Sequence, residues 1–304
     1  MQSLNLVPEA AAALAGGAAL AISVSGGKDS QAMLEALVAE HRTQKWPGEV
    51  FAIHSDLGRA EWAESQPHCQ QQCDRLGIQL AVVRRLKGDM VDRWQERMHK
   101  LAGTGKPFWS SSSQRYCTSD MKRGPIDTYL RRYKNVVCAI GIRSQESRGR
   151  ARQLVWQHRT QICTKDRQAY SWNAIFDWKI EDVWETIGTT SVDLERRRWL
   201  YREGSHKEAL EGWPGHPAYV YGNERVSCAL CVLASRADLR IGALHNPQLF
   251  RILTDMEGES GWSFRHNDAL VHLFDAKPKG LARVPPDALP LLGVQQELDF
   301  TCSC

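Results

Sequence analysis

No stretch of this sequence is apolar for long enough to cross a bilayer. The apolar run Ala10 to Val24 is broken by Gly16 and Gly17, and it stops short of the ~20 residues that a span requires. No basic residue precedes it, so it lacks the form of an export signal. Neither charge dominates. Lys and Arg total 39 against 35 Asp and Glu, a net +4 over 304 residues, which excludes a tail that coats nucleic acid by charge alone. With 42% hydrophobic residues the chain is no disordered polyampholyte. There is no internal repeat and no low-complexity tract. Nine cysteines without export features point to a reducing, cytoplasmic setting, where thiols are buried, catalytic or metal-bound rather than bridged. The length fits one large domain, or a core with a smaller appendage, and suffices to hide roughly 75% of the unfolded surface.

What is present is an alternation of strand and helix signals. Ala18 to Val24 is a short apolar run between glycine pairs, the pattern of a fully buried parallel strand. Met33, Leu34, Leu37 and Val38 then recur at helical spacing within Gln31 to His41. Val50 to Ile53, Leu80 to Val83 and Val136 to Ile140 read as further strands. Glu61 to Leu76, Met90 to Leu101 and Ile126 to Tyr133 read as helices, the first two closed by Gly77 and Gly103. Such alternation predicts an α/β, Rossmann-like parallel sheet with helices on both faces. Beyond Arg150 the pattern weakens. Trp172 to Trp178 reads as extended and Ile180 to Ile187 as a helix. Residues 188–227 read as loop-rich, and Ala237 to Glu257 as helical around Asn246-Pro247. The expected organisation is a nucleotide-binding core over residues 1–150 and a smaller, helical and loop-rich region over 151–304.

Three chemically informative segments fall at strand C-terminal ends, which right-handed crossovers place on one edge. They are Ser25-Gly26-Gly27-Lys28-Asp29-Ser30, His54-Ser55-Asp56, and Gly141-Ile142-Arg143. The first is a phosphate cradle. Twin glycines let backbone N–H groups approach an anion closely, and the following helix adds its positive end. Lys28 supplies a point charge, Ser25 and Ser30 supply hydroxyls, and Asp29 is placed to hold Mg2+ or to cap the helix. The loop is shorter than the Gly-x-x-x-x-Gly-Lys-Ser/Thr loop of the common triphosphatases, and its glycines are adjacent.

At these residues the chain resembles the PP-loop ATP pyrophosphatases, and within them the phosphoadenosine phosphosulfate (PAPS) reductase-like branch. That branch includes DNA phosphorothioation enzymes. The resemblance extends through His54 to Gly58, Arg115-Tyr116-Cys117 with Lys122 and Pro125, Gly141 to Ser147, Asp177-Trp178, Asp182-Val183-Trp184, His216 to Tyr219, Gly222, Arg225 and Cys228-Ala229-Leu230-Cys231. It implies that Ser23, Ser25, Gly26, Gly27, Lys28, Asp29, Ser30, Asp56, Gly58, Gly141 and Arg143 hold ATP or a related adenine nucleotide with Mg2+. Lys28, Asp29 and Arg143 would then serve the chemistry. Lys122, Glu146, Arg148 and Arg225 would meet the second substrate. A guanidinium suits the Arg143 role because it grips oxyanions bidentately.

Cys228-x-x-Cys231 has metal or redox spacing. The resemblance adds Cys117 and implies a [4Fe-4S] cluster, with zinc, or a packed pair without metal, as alternatives. Tyr116-Cys117 stands where cluster-bearing relatives carry a cysteine pair, so the four-thiol set is incomplete. The Cys302-Ser303-Cys304 ending lacks the reductases' Glu-Cys-Gly motif. Basic residues outnumber acidic ones from Lys122 to Arg167, which fits either a polyanionic partner, DNA or RNA, or a solvated helix face. The eleven tryptophans read as packing and interface anchors.

The leading expectation is an ATP-dependent sulfur-transfer enzyme that adenylates a nucleic-acid or small-molecule substrate. A cysteine desulfurase is its implied sulfur donor and a homodimer its implied assembly. The rivals are a PAPS or adenylyl-sulfate reductase, and a non-catalytic nucleotide-binding subunit.

Overall fold

The computed structural model describes residues 2–275. The chain forms two compact units. Among the described residues, one comprises residues 2–90 together with Arg115–Ala229, the other Val91–Gln114 and residues 230–275.

The first unit is a six-stranded sheet of β1 (Ala19–Val24), β2 (Val50–Asp56), β3 (Gln79–Arg84), β4 (Asn135–Ala139), β5 (Trp156–His158) and β6 (Gln168–Trp172). The spatial order is β3-β2-β1-β4-β6-β5, parallel throughout except for β5, which pairs antiparallel with β6. The helices of this unit are α1 (Pro8–Ala15), α2 (Lys28–Gln44), α3 (Ser65–Leu76), the short α5 (Tyr116–Thr118), α6 (Gly124–Leu130), α7 (Ile180–Ile187), α8 (Ser191–Arg202), α9 (His206–Leu210) and α10 (Pro217–Tyr221). α4 (Met90–Leu101) begins at the boundary, and α11 (Arg236–His245) and α12 (Pro247–Ser260) lie in the second unit.

β1 is central, and its period of two feeds both faces. Leu20, Ile22 and Val24 join Met33, Leu37 and Trp172 in one core, while Ala19 and Ala21 join Phe51, Ile53, Val136 and Leu130 in the other. Burial on both faces is why this strand is apolar without alternation. The chain runs from β1 outward through β2 to β3, then returns to place β4 against the other side of β1. That reversal opens a crevice at the C-terminal ends of β1 and β4, the position where open α/β sheets bind ligands.

The expected strands and the helix at Met90–Leu101 stand where the sequence put them, within a residue or two of their bounds, except that β2 runs on to Asp56. Residues 188–227 differ: they hold α8, α9 and α10. α8 carries Glu195, Arg196, Arg197 and Arg198 in succession, which conceals its apolar face of Leu194 and Leu200. Thr190 caps it by accepting from the Asp193 amide at 3.1 Å. The strand near Trp172 ends at that residue, and Asn173 to Trp178 turns instead of extending. β5 was not anticipated; three residues carry too little pattern to register.

In the second unit, Val91, Trp94 and Met98 form the buried stripe of α4. Trp94, Trp109 and Phe264 pack edge to face with centroids 5.0–6.1 Å apart. Glu257 of α12 is fully buried and accepts from the amides of Phe264, Leu270 and Val271 at 2.5, 2.9 and 3.3 Å. Burial pushes its pKa up to about 7 from 4.5, against the pull of the three amides and with a small push from Asp268. The folded form therefore takes up a proton between about pH 7 and 4.5 that the unfolded chain does not. Stability from this group is full below about 4.5 and lost as pH rises through about 7; the difference corresponds to about 3 kcal/mol. The expected result is that wild type minus Glu257→Gln, followed by denaturant midpoints from pH 8 to 5, shows wild type gaining on the variant as pH falls. A flat difference would remove the assignment.

Candidate active site

The loop between β1 and α2 is shaped by its glycines and by residues far away in sequence. Gly26 sits at φ +74°, a left-handed conformation open to glycine. A Cβ there would also meet His216 at 3.1 Å and the Ser65 backbone at 3.3 Å. Gly141, after β4, lies against the first turn of α2, where a Cβ would come within 3.1–3.2 Å of Ser30 N and the Asp29 carbonyl. No side chain caps α2 at Gly27, so its N-terminus is left to other partners. Ser30 Oγ donates to Gly27 O at 2.8 Å and accepts from Ser25 N at 3.2 Å, cross-bracing the loop.

Two cations share one carboxylate here. Lys28 Nζ is 3.1 Å from Asp29 Oδ2 and Arg143 Nε is 2.5 Å from Asp29 Oδ1. All three side chains are nearly buried. Burial alone would raise the Asp29 pKa, but Lys28 and Arg143 outweigh it and hold the carboxyl below its ordinary value. Burial likewise works against Lys28, and Tyr219 and Asp29 reverse it, so the ammonium is held above its ordinary value. Arg143 Nη1 also donates to Trp178 O at 3.4 Å. Glu146 orients Arg143 through the main chain, accepting from its amide at 3.1 Å while its carboxylate pairs with Arg150. Arg143 thus converges with Lys28 and Asp29, the latter 114 positions away in sequence.

Four participants were not singled out as site residues. Tyr219 accepts from the Lys28 amide at 2.9 Å, and its ring lies 5.4 Å from Lys28 Nζ, with the Trp184 ring at 6.0 Å. His216 caps α10, with Nδ1 accepting from Ala218 N at 3.1 Å and Nε2 3.2 Å from Ser65 Oγ. Burial drives its pKa down to about 3, so it is neutral. His54 is buried on β2, with Nδ1 3.2 Å from Val24 O and Nε2 3.2 Å from Glu61. Burial opposes its charge, but Cys69 and Glu61 overcome that and carry its pKa up to about 10. An imidazolium therefore pins the last carbonyl of β1, directly before the loop. The sequence signals for these residues were the His54 to Gly58, Trp184 and His216 to Tyr219 stretches of the resemblance and the place of His54 at the end of a strand.

Tyr219→Phe deletes the acceptor for the Lys28 amide. The expected loss is about 1–3 kcal/mol in the free protein. Saturating nucleotide should stabilise the variant more than wild type, because phosphate oxygens can take the orphaned donor. Thermal denaturation with and without nucleotide measures both; equal ligand-induced shifts would count against this role.

A cavity of about 390 Å³ on the β2–β3 side is lined by Asp56, Gly58, Arg84, Arg85, Leu86 and Asp89, among others. Asp56 Oδ1 accepts from Gly58 N at 2.7 Å, and Arg59 grips Asp89 through two nitrogens at 2.6 and 2.9 Å. A second cavity of about 340 Å³ adjoins Lys28 and Arg143 and includes Glu146 and Arg225. Lys122 and Arg148 line neither cavity. Ser23 lies on β1 before the loop. Cys117 and Cys228 belong to the first unit and Cys231 to the second, all partly exposed and in no disulfide among the described residues. Among the described residues no group of three or more His, Cys, Asp or Glu gathers in a way that could hold a metal ion. Cys302 and Cys304 lie outside the described residues.

The family model for the phosphoadenosine phosphosulfate reductase domain matches residues 19–247. The chain belongs to this family. The residues matched to the PAPS reductase domain include both the glycine loop after β1 and the distant Tyr219 that braces it. An uncharacterized protein of Methanocaldococcus jannaschii is 28% identical over 167 residues, 52% of this chain and 34% of that protein. The alignment therefore spans about a third of that relative's length. An uncharacterized 37.8 kDa protein of Escherichia phage 186 is 24% identical over 266 residues, 72% of this chain and 68% of the other. A crystal structure of PAPS reductase from Candida auris, a phosphate complex, aligns at 11% identity and a TM-score of 0.43, over 75% of this chain and 98% of that one. The family binds adenine nucleotides. No helix among the described residues is long and apolar enough to cross a membrane.

Proposed function

We propose that the chain is an ATP-dependent sulfur-transfer enzyme that activates an oxygen of a nucleic-acid or small-molecule acceptor by adenylation. The observation that carries this reading is the sharing of Asp29 by Lys28 and Arg143 in the first turn of α2, whose Lys28 amide Tyr219 holds. Two buried cations with a single carboxylate, at the positive end of a helix, form a preorganised site for polyphosphate charge. The flanking cavity at Asp56 and Gly58 is the candidate place for the nucleoside.

In the reaction proposed, the acceptor oxygen bonds to the α-phosphorus, the bond from that phosphorus to the β-phosphate oxygen breaks, and pyrophosphate leaves with the electron pair. Lys28, Arg143 and the loop amides stabilise the charge that develops on the leaving group. Hydrosulfide, released when a thiol reduces the persulfide of a desulfurase, then bonds to the activated atom of the acceptor, and the bond from that atom to the adenylated oxygen breaks, so that AMP leaves with the electron pair. Magnesium, when bound with the nucleotide, would screen phosphate charge, and Asp29 is the loop carboxylate suited to hold it. The cysteines do not fit a metal centre, since no three ligands gather among the described residues, and no step is assigned to one.

The second reading, reduction of PAPS or adenylyl sulfate, is supported by the family itself. The deciding experiment supplies purified protein with ATP, or with PAPS and a thiol donor, and measures pyrophosphate and sulfite. Pyrophosphate release that Lys28→Ala abolishes supports adenylation. Sulfite release supports reduction. Tight ATP binding with neither product would leave a nucleotide-binding subunit.

A further inference from the structure

The cavity on the β4 side of the loop has a character of its own. Lys28 and Arg143, both nearly buried, form its inner end, and Trp184, Leu194 and Ile180 give it an apolar side. Exposed Arg225 stands at its mouth. The other cations are committed. Arg143 is held by Asp29 and the Trp178 carbonyl. Arg198 is held by Glu195 and Glu224 at 2.8 and 2.9 Å and by the carbonyls of Tyr219 and Asn223. Arg150 answers Glu146. Arg225 has no hydrogen bond or ion pair among the described residues. Counting the lining with its direct partners, Lys28, Arg143, Arg150, Arg198 and Arg225 face Asp29, Glu146, Glu195 and Glu224. One positive charge is left over, and Arg225 is where it lies.

The volume matches the room of about eleven waters at ~30 Å³ each, so the occupant has roughly a dozen heavy atoms, at the small end of ligand sites. A guanidinium without a partner beside an apolar wall selects an oxyanion attached to an apolar body. The acidic rim at Glu195 disfavours a second negative charge there.

We infer that this cavity is the acceptor subsite and that it takes a small organic monoanion, a carboxylate on an apolar or aromatic body, with the carboxylate on Arg225 and the body against Trp184 and Leu194. This rests on the nucleotide reading above and narrows its acceptor from nucleic acid or small molecule to the latter.

The test uses benzoate and hydrocinnamate as probes, benzamide and benzylamine as neutral and cationic counterparts, a short single-stranded oligonucleotide, and ATP. Affinities are measured by ligand-observed NMR titration on the full chain, on Arg225→Ala, and on Ser191→Trp, which fills the cavity from an exposed lining position. The carboxylates are expected to bind at least about fivefold tighter than the amide or amine and to lose at least about that factor in Arg225→Ala. Ser191→Trp should remove their binding, while ATP affinity stays within about twofold in both variants. Carboxylates that fail to bind, or that bind Arg225→Ala as well as wild type, overturn the inference. An oligonucleotide that displaces the carboxylates and itself depends on Arg225 would assign the mouth to nucleic acid and overturn it as well. Failure of ATP to bind wild type while carboxylate binding persists would strike the nucleotide reading alone.

Discussion

Arg143→Ala is expected to lower nucleotide turnover by ~10²–10³-fold, the usual consequence of deleting one preorganised donor from a charge-stabilising site. The guanidinium is buried and held in place before any ligand arrives, by Asp29 on one nitrogen and the Trp178 carbonyl on another. Its loss removes a cation already aimed into the crevice and leaves Asp29 to Lys28 alone, so the Asp29 pKa should rise toward its ordinary value. Arg143→Lys keeps the charge but not the planar fork, and should recover only part of the rate. Pyrophosphate or sulfite assays under saturating nucleotide, with circular dichroism to verify folding, measure the effect. A folded Arg143→Ala protein with near wild-type turnover would refute the role of this residue.

The largest expected effect on stability lies beneath the sheet, away from the crevice. Arg159 and Asp127 are both nearly buried. Arg159 Nε lies 3.0 Å from Asp127 Oδ1, Nη2 meets the same oxygen, and Nη1 reaches Ser171 Oγ at 3.3 Å. Asp127→Ala leaves a guanidinium buried without its counter-ion, which typically costs about 3–5 kcal/mol. The double replacement of Asp127 and Arg159 by leucine removes both charges and should recover much of the loss. Guanidinium chloride unfolding of the three variants distinguishes the cases. If Asp127→Ala unfolds within about 1 kcal/mol of wild type, the pair is not a buried constraint.

The segments legible in the sequence were those whose signal is local. β1, the loop and α2 carry a buried apolar run, twin glycines and a helical stripe within 26 residues. The gathering of site segments at strand ends followed from the handedness of parallel crossovers. The braces were illegible because each depends on a contact across a great sequence distance. Tyr219 meets Lys28 over 191 positions and His216 meets Ser65 over 151, and no periodicity announces such pairs. α8 was missed for a different reason: its run of charged residues masks a narrow apolar face that only packing reveals. His54 looked like part of a strand end, and only burial beside Glu61 turns it into a fixed charge.

The dependence of the loop on Tyr219 and His216 bears on biosynthesis. Lys28 is made 191 residues before the Tyr219 that holds its amide, and Val226 O lies 3.4 Å from where a Cβ on Gly27 would be. A nascent chain still on the ribosome therefore carries the motif without its conformation. The loop gains its braces only once the segment through Val226 has emerged and docked, and truncated products that end before it carry the signature without them.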